Sequence, residues 1–330
     1  MLDKIITRKL GGVAHKIHIV SENPQLPVLL ELHGGPGVPS RHGIPRDAEI
    51  RAHFTRVGYD QRGTGAAWAV KPAAVTLDAM VEDAAELCAY LKQLFHKDRV
   101  FVLGGSWGSA LGAYLAARHP EHVAAFVGFG QLIDFARNEE LSYEFALQAA
   151  TQAGDTKSLK TLAKIGYPVN AQYKGGLRGM IRQREVMNKY GGFSPGKTGG
   201  KKAGGGYVET FAKPIFASGE YTPYDIFGIF WGGFWLPRTL GKEIGTLSLP
   251  RDCTEFQVPV FIFDGRQDKN TPAALVEEWF AQIEAPRKQL HWFENSGHGP
   301  LRDEPEKFKA LLFGKLGEVA ADLQSQGITV

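Results

Sequence analysis

One serine in the middle of the chain stands in a pattern typical of an activated nucleophile. Residues 100–112 read VFVLGGSWGSALG, so Ser106 follows an apolar run and is flanked by Gly104, Gly105 and Gly108. The segment fits the G-x-S-x-G pattern, in which a strand turns sharply into a helix and holds its serine in a strained conformation. Glycines allow neighbouring backbone to approach such a turn. We therefore predict that Ser106 is a nucleophile; an ordinary glycine-rich turn is the alternative.

A serine hydroxyl is a poor nucleophile until a base removes its proton, and a third group usually orients that base. His298, in the segment SGHGP, follows the last predicted strand and lies in a loop, where it is the predicted base. Two acids precede it in FIFDGRQDKNTP. We predict that Asp268, deeper in that loop, orients the imidazole and that Asp264, at the strand end, is a structural hydrogen-bonding residue. Asp134 is the third candidate for the acid.

Acyl transfer also needs two N–H donors for the developing oxyanion. The backbone N–H of Trp107, directly after the serine, is one predicted donor. The second is expected from the loop HGGPG at 33–37, at Gly35. His33 follows a strand directly, so we expect it to hold this loop rather than act as a base.

The elements that must position these residues alternate between strand and helix. Apolar runs predict strands around residues 27–32, 53–59, 100–105, 122–130, 257–265 and 288–295, after an amino-terminal hairpin at 4–20. Helical periodicity marks 76–95, with Thr76 as N-cap, then the segments after Ser106, at 272–283 and from Pro305. This alternation predicts an α/β fold with a mostly parallel sheet covered by helices on both faces.

The rhythm changes between residues 131 and 254, which we predict to be a mainly helical cap inserted into a catalytic domain formed by 1–130 and 255–330. Helical patterns at 136–153 and 156–165 precede a glycine- and lysine-rich loop at 191–206. An aromatic stripe follows at helical spacing, and we expect it to pack inside the protein: Phe227, Phe230, Trp231, Phe234 and Trp235. The aromatic cap suggests a bulky apolar substrate, with Trp231 and Trp235 as candidate contacts.

Five motifs, HGGPG, DQRGTG, GGSWGS, GRQDKNTP and SGHGP, occur in this order and resemble the proline iminopeptidase family of α/β-hydrolase serine peptidases. The resemblance covers about residues 25–130 and 255–312. It implies an α/β-hydrolase fold with Ser106, Asp268 and His298 as the triad and Gly35 and Trp107 as oxyanion donors. It further implies a structural role for Asp60 and Arg62 of DQRGTG, as an ion pair that ties this turn to the oxyanion loop.

Two departures from the family bear on specificity. A serine usual after the DxRGxG turn is replaced by Ala66-Ala67-Trp68. Aminopeptidases of the family bind the substrate's α-ammonium group through cap carboxylates, for which Glu139 is the best-placed candidate, followed by Glu209 and Glu220. Solvated surface charges are the alternative interpretation of all three.

The composition narrows the function classes. A net charge of +3 with one basic cluster, at Lys197, Lys201 and Lys202, gives no basis for nucleic-acid binding. Two cysteines make no disulfide framework, and no apolar segment has the length of a signal peptide or a membrane span. His15 and His18 lack a matching ligand set, so we expect neither metal nor cofactor.

We therefore expect a cytoplasmic serine hydrolase that acts on a small molecule or short peptide without a nucleic-acid or membrane partner. The first expectation is an aminopeptidase that releases N-terminal proline or another apolar residue. An esterase, lactonase or amidase with the same triad is the alternative. A non-catalytic ligand-binding protein on the same scaffold is the third hypothesis.

Overall fold

The central element of the protein is an eight-stranded sheet. The computed structural model describes residues 1–195 and 213–330. The strands are β1 (Leu2–Leu10), β2 (Val13–Ser21), β3 (Val28–Leu32), β4 (Thr55–Tyr59), β5 (Val100–Gly105), β6 (Val123–Phe129), β7 (Val260–Gly265) and β8 (Lys288–Phe293). Their order across the sheet is β1-β2-β4-β3-β5-β6-β7-β8. The hairpin β1–β2 joins β4 in antiparallel pairing, and every later pair is parallel.

Helices connect the parallel strands, as the alternation in the sequence predicted. Outside the segment between β6 and β7 they are α1 (Ala48–His53), α2 (Leu77–Phe95), α3 (Trp107–Arg118), α11 (Ala273–Gln282), α12 (Pro300–Asp303) and α13 (Pro305–Ser325). The predicted N-cap of α2 is confirmed, since the Thr76 side chain accepts a hydrogen bond from the N–H of Ala79 at 3.1 Å. These helices cover both faces of the sheet.

Two apolar cores lie on the two faces because successive side chains of a strand point in opposite directions. In β5, Val100 and Val102 join the core under α2, α3 and α11, whereas Phe101 and Leu103 join the core under α13. All four side chains are buried. Burial on both faces explains why the central strands read as continuous apolar runs.

The segment between β6 and β7 contains seven helices in the part of the chain that the structure describes. They are α4 (Phe135–Gln152), α5 (Thr156–Ile165), α6 (Leu177–Lys189), α7 (Lys213–Ser218), α8 (Pro223–Thr239), α9 (Gly241–Ile244) and α10 (Leu249–Asp252). The helices predicted at 136–153 and 156–165 are α4 and α5. The lysine cluster and residues 196–206 of the predicted loop lie outside the described residues. The division into a catalytic domain and a cap stays a proposal.

The prediction that the aromatic stripe packs inside the protein is wrong for most of its members. Phe227, Phe230, Trp231 and Phe234 are between 42% and 55% exposed. The face of α8 that contacts the rest of the protein instead carries Gly228, Gly232 and Leu236, which lie against the turn at 63–65 and the end of the HGGPG loop. Residues four apart share a helix face, so these small residues bring α8 close to that turn and direct the aromatic side chains outward.

Two further observations concern the chain as a whole. Cys88 and Cys253 are buried free thiols, and burial raises the pKa of each to about 12. Among the helices of residues 1–195 and 213–330, none is both long and apolar enough to cross a membrane.

Candidate active site

Ser106 lies at the turn between β5 and α3 in a conformation that few side chains adopt. Its φ is +55° and its ψ is −123°, outside the regions favoured by L-residues. A methyl group at Gly104 would overlap the carbonyl oxygen of Gly108, and one at Gly108 would overlap the carbonyl oxygen of Leu32. The glycines are thus required by close backbone approach around the serine, as the pattern predicted.

Asp268 and His298 form a hydrogen-bonded pair at the ends of β7 and β8. His298 Nδ1 lies 2.7 Å from Asp268 Oδ2, so the predicted contact between these residues is present. The buried carboxylate also accepts hydrogen bonds from the N–H groups of Asn270 (2.7 Å) and Thr271 (3.0 Å) and from Thr271 Oγ1 (2.6 Å). Because a carboxylate can only accept, Nδ1 is the imidazole nitrogen that donates to Asp268, and in the neutral form of the ring the lone pair is then at Nε2.

Ser106 and His298 approach the same point at the end of β6. The Ser106 N–H donates to the carbonyl of Phe129 at 3.0 Å, and His298 packs against the next residue, Gly130. Among the described residues, however, the Ser106 hydroxyl has no hydrogen-bond partner. The polar atom near His298 Nε2 is Asn270 Nδ2, at 3.3 Å.

A short segment from the helical region holds the histidine loop from the other side. The His298 N–H donates to the carbonyl of Phe193 at 2.9 Å, and the two rings lie 4.8 Å apart. The N–H of Lys269 donates to the carbonyl of Gly192 at 2.9 Å. Residues 192–193 therefore contact both loops, the one that carries Asp268 and the one that carries His298.

The HGGPG loop lies beside the serine and is fixed through His33. The Gln61 N–H donates to His33 Nε2 at 3.2 Å, so His33 Nδ1 carries the proton and donates to the carbonyl of Gly34 at 2.9 Å. Burial lowers the pKa of His33 to about 4, and the ring is therefore neutral at pH 7. Gly34 is the loop residue next to the Ser106 side chain. These contacts agree with the predicted structural role of His33.

Both predicted oxyanion donors stand at this junction. Trp107 is the first residue of α3, where a backbone N–H has no intrahelical partner. Its indole N–H donates to Gln61 Oε1 at 3.1 Å, and Gln61 Nε2 donates to the carbonyl of His33 at 3.0 Å. Gly35 follows Gly34 with a φ of +120°, a value that favours glycine. Gln61 thus connects the segments that carry the two donors.

The remaining acids of the sheet edge have structural positions. Asp264 is buried and accepts hydrogen bonds from the N–H groups of Gln131 (3.0 Å) and Gly265 (2.9 Å), as a structural residue should. Burial, and then the charge of Asp268, raise its pKa well above the ordinary value. The alternative that Asp134 is the triad acid is wrong. His298 pairs with Asp268 instead, and the carboxylate of Asp134 caps α4 by accepting from the N–H of Arg137 at 3.0 Å.

The predicted ion pair between Asp60 and Arg62 is also wrong, since each has another partner. Both Asp60 oxygens lie 3.1 Å from Nε of Arg41, a buried residue that follows the HGGPG loop. Arg62 Nε donates to Asp83 of α2 at 2.8 Å. Burial raises the pKa of Asp60, while the charge of Arg41 opposes that effect.

Arg41 also reaches the helical region. Its Nη2 donates to Asp225 Oδ2 at 3.0 Å, and Lys16 Nζ lies 2.7 Å from the same oxygen. Asp225 belongs to the capping box with Thr222 at the start of α8. Arg41 therefore connects the DQRGTG turn, the segment after the HGGPG loop and α8.

The three carboxylates predicted to bind an α-ammonium group differ in their surroundings. Glu139, in α4, is buried and pairs with Arg184 of α6, while its Oε2 has no hydrogen-bond partner among the described residues. Glu220 is joined to the amino-terminal hairpin, with Oε2 at 3.0 Å from His18 Nδ1, so the structure places it in a structural pair. Glu209 lies outside the described residues.

The side chain next to Glu139 connects α4 with the loop that carries Asp268. Asn138 Nδ2 donates to the carbonyl of Asn270 at 2.8 Å and lies 3.4 Å from Glu139 Oε1. The predicted substrate contacts of α8 have other neighbours, since Trp231 stacks on Phe227 and half-buried Trp235 packs on the core under α2 and α3. Glu139 is thus the candidate whose surroundings lead towards His298.

Sequence reasoning missed the residues that hold the site together, chiefly Arg41, Gln61, Asn270 and Thr271. Thr271 could have been found, because an aspartate that accepts from N–H groups two and three residues later is a common turn. Arg41 and Gln61 carry no comparable local signal. Among residues 1–195 and 213–330, no group of three or more His, Cys, Asp or Glu side chains is arranged to hold a metal ion.

The fold and the site together indicate the class of protein. A serine at a strained turn and an Asp–His pair lie at the edge formed by the carboxyl ends of β3, β5, β7 and β8. The family described as the alpha/beta hydrolase fold matches residues 27–305, and the chain belongs to that family. A probable aminopeptidase, YbaC of Bacillus subtilis (strain 168), is 24% identical over 92% of this chain and 93% of its own length. A proline iminopeptidase of Heyndrickxia coagulans is 27% identical over 87% of this chain and 88% of its own.

Solved structures agree on the fold. The proline iminopeptidase of Mycobacterium smegmatis superposes with a TM-score of 0.66 at 19% identity, over 96% of this chain and 98% of that one. The resemblance to proline iminopeptidases inferred from the motifs is therefore confirmed, at low sequence identity.

Proposed function

We propose that the protein is a serine hydrolase that works through an acyl-enzyme. The observation that carries this proposal is the Asp268–His298 pair, which leaves Nε2 as the imidazole nitrogen that can accept a proton at the strand edge where Ser106 stands. Ser106 Oγ attacks the substrate carbonyl carbon while its proton passes to His298 Nε2. His298 then protonates the leaving group as the acyl bond breaks, and a water molecule activated in the same way releases the acyl group.

The oxyanion of the tetrahedral intermediate is held by the N–H groups of Trp107 and Gly35. The amino-terminal end of α3 adds a positive dipole end at the same place. Loss of one such donor typically costs about 100- to 1,000-fold in rate. Gln61 supports this role, because it hydrogen-bonds the segments that carry both donors.

The substrate class we propose is a short peptide with a free, apolar amino-terminal residue, typically proline. Glu139 supports this choice, since it is a buried carboxylate with one oxygen that has no partner in the described chain. Such an oxygen is costly unless something occupies it, and an α-ammonium group is a matching donor. Asn138 connects the surroundings of Glu139 to Asn270, two residues from the triad acid.

A comparison of proline β-naphthylamide with p-nitrophenyl esters tests this proposal. Glu139→Gln should raise KM for the amide by about 10-fold or more, because the charge-assisted contact is lost, and should leave ester hydrolysis within a few-fold. Glu140→Gln is the matched control, since Glu140 pairs with Arg137 on the same helix. Ester turnover alone, with no effect of Glu139→Gln, would exclude the aminopeptidase.

The second candidate is an esterase, lactonase or amidase with the same triad. It is favoured by one observation: Arg184 already pairs with Glu139, so this carboxylate has a countercharge without any substrate. The same kinetic comparison separates the two candidates.

A further inference from the structure

A side-chain amide stands where the serine hydroxyl has to bind. Asn270 Nδ2 lies 3.3 Å from His298 Nε2, the nitrogen that must accept the Ser106 proton in the proposed reaction. A neutral imidazole has a single lone pair at this nitrogen, directed in the plane of the ring. Two donors cannot share it with good geometry, so the Asn270 amide and the Ser106 hydroxyl exclude each other there.

Hydrogen bonds fix the backbone of Asn270 and so hold its side chain beside His298. Its N–H donates to Asp268 Oδ1 at 2.7 Å, and its carbonyl accepts from Asn138 Nδ2 at 2.8 Å. The next residue, Thr271, contacts both Asp268 and His298 Nδ1. Only the side chain of Asn270 has to rotate for Nε2 to be released.

We propose that Asn270 is a positioning residue that occupies His298 Nε2 in the free protein and must release it before Ser106 can be activated. The inference rests on the proposed function and adds a conformational step to it. Only the fraction of molecules with Nε2 released reacts, so the apparent reactivity of the serine is its intrinsic reactivity multiplied by that fraction. Removal of the amide therefore accelerates the first chemical step, whereas a supporting residue would slow it on removal.

The test is the rate at which a small alkyl fluorophosphonate labels Ser106. In this reaction the Ser106 Oγ–P bond forms, the P–F bond breaks, fluoride leaves and the serine proton passes to His298. Asn270→Ala and Asn270→Leu should each label about 2- to 10-fold faster than the wild type, the range that one neutral hydrogen bond supports. Leucine keeps the side-chain volume, so agreement between both variants separates the lost donor from the lost bulk.

Two controls fix the sign of the effect. Asn270→Gln restores an amide donor and should return the labelling rate towards that of the wild type. Thr271→Val removes a hydroxyl from the opposite ring nitrogen and should slow labelling, because Asp268 and His298 Nδ1 lose a partner. Urea unfolding of each variant shows whether a change in rate follows stability instead.

The outcomes separate this inference from the function on which it rests. If wild-type Ser106 is not labelled while the protein is folded, the proposed hydrolase fails. If Ser106 is labelled and both Asn270 variants react at the wild-type rate or more slowly, only the role of Asn270 is overturned. Should these variants fail to fold, Asn270→Met, whose flexible side chain also lacks a donor, must accelerate labelling for the proposal to stand.

Discussion

The backbone N–H of Gln61 donates a hydrogen bond to Nε2 of His33, across 3.2 Å and inside the protein. This contact fixes the neutral form of the ring, since a protonated Nε2 could no longer accept it. It also joins the DQRGTG turn to the HGGPG loop, so the protonation state of one buried histidine bears on the position of a proposed oxyanion donor.

The first prediction concerns stability in acid. The pKa of His33 falls from 6.5 to about 4 on burial, so below pH 6.5 the unfolded chain binds a proton that the folded protein does not. As the pH is lowered from 6.5 to 4, the contribution of His33 should therefore reduce the free energy of unfolding by about 1.4 kcal/mol per pH unit. His33→Gln should remove this contribution to the pH dependence of the free energy of unfolding.

Urea unfolding at pH 7.0, 6.0 and 5.0 measures this slope. His33→Asn, which also removes the titrating ring, should show the same reduced slope as His33→Gln. Equal slopes for His33→Gln and the wild type would contradict the assignment of a neutral, buried His33.

The second prediction separates strain from chemistry at Ser106. Ser106→Ala and Ser106→Gly should both lower hydrolysis by about 10,000-fold or more, since neither residue supplies a nucleophile. The glycine variant should nevertheless be more stable than the alanine variant by about 1 kcal/mol, because a φ of +55° with a ψ of −123° is costly for a residue with a Cβ. Thermal unfolding of both variants decides this, and a more stable alanine variant would argue against strain.

The third prediction concerns the backbone contact behind the serine. Gly108→Ala should cost about 3 kcal/mol, because its methyl group would overlap the carbonyl of Leu32 and force β3 away from α3. Gly314→Ala, at an open and exposed position of α13, should instead stabilise the protein by about 0.5–1 kcal/mol. Urea unfolding checks both signs. A Gly108→Ala protein as stable as the wild type would show that the turn around Ser106 tolerates a side chain at this position.

The fourth prediction concerns Arg41, whose guanidinium lies between the buried carboxylates of Asp60 and Asp225. Arg41→Met should cost about 3–5 kcal/mol, because it leaves the buried carboxylate of Asp60 without its charged partner. Arg118→Met, which breaks an exposed pair with Asp78, should cost less than about 1 kcal/mol. Similar losses of unfolding free energy in both variants would contradict a central role for Arg41.

The sequence by itself determined the strands of the sheet and the candidate residues of the site. A serine between glycines after an apolar run can satisfy few backbone geometries, and a histidine before Gly-Pro at the end of the last strand is equally constrained by its neighbours. Such requirements are local, so the sequence of a few consecutive residues is enough to indicate them. The alternating apolar runs determined the sheet in the same way, including the burial of β5 on both faces.

Only the tertiary structure decided which side chains meet. Arg41 and Asp225 are 184 positions apart, and nothing in either neighbourhood marks the other as its partner. The pairing of Asp60 and Arg62 failed for this reason, because proximity in sequence did not bring their charges together. The exposed aromatic face of α8 and the burial of Glu139 likewise depend on what packs against each helix, since helical periodicity defines a face without saying what covers it.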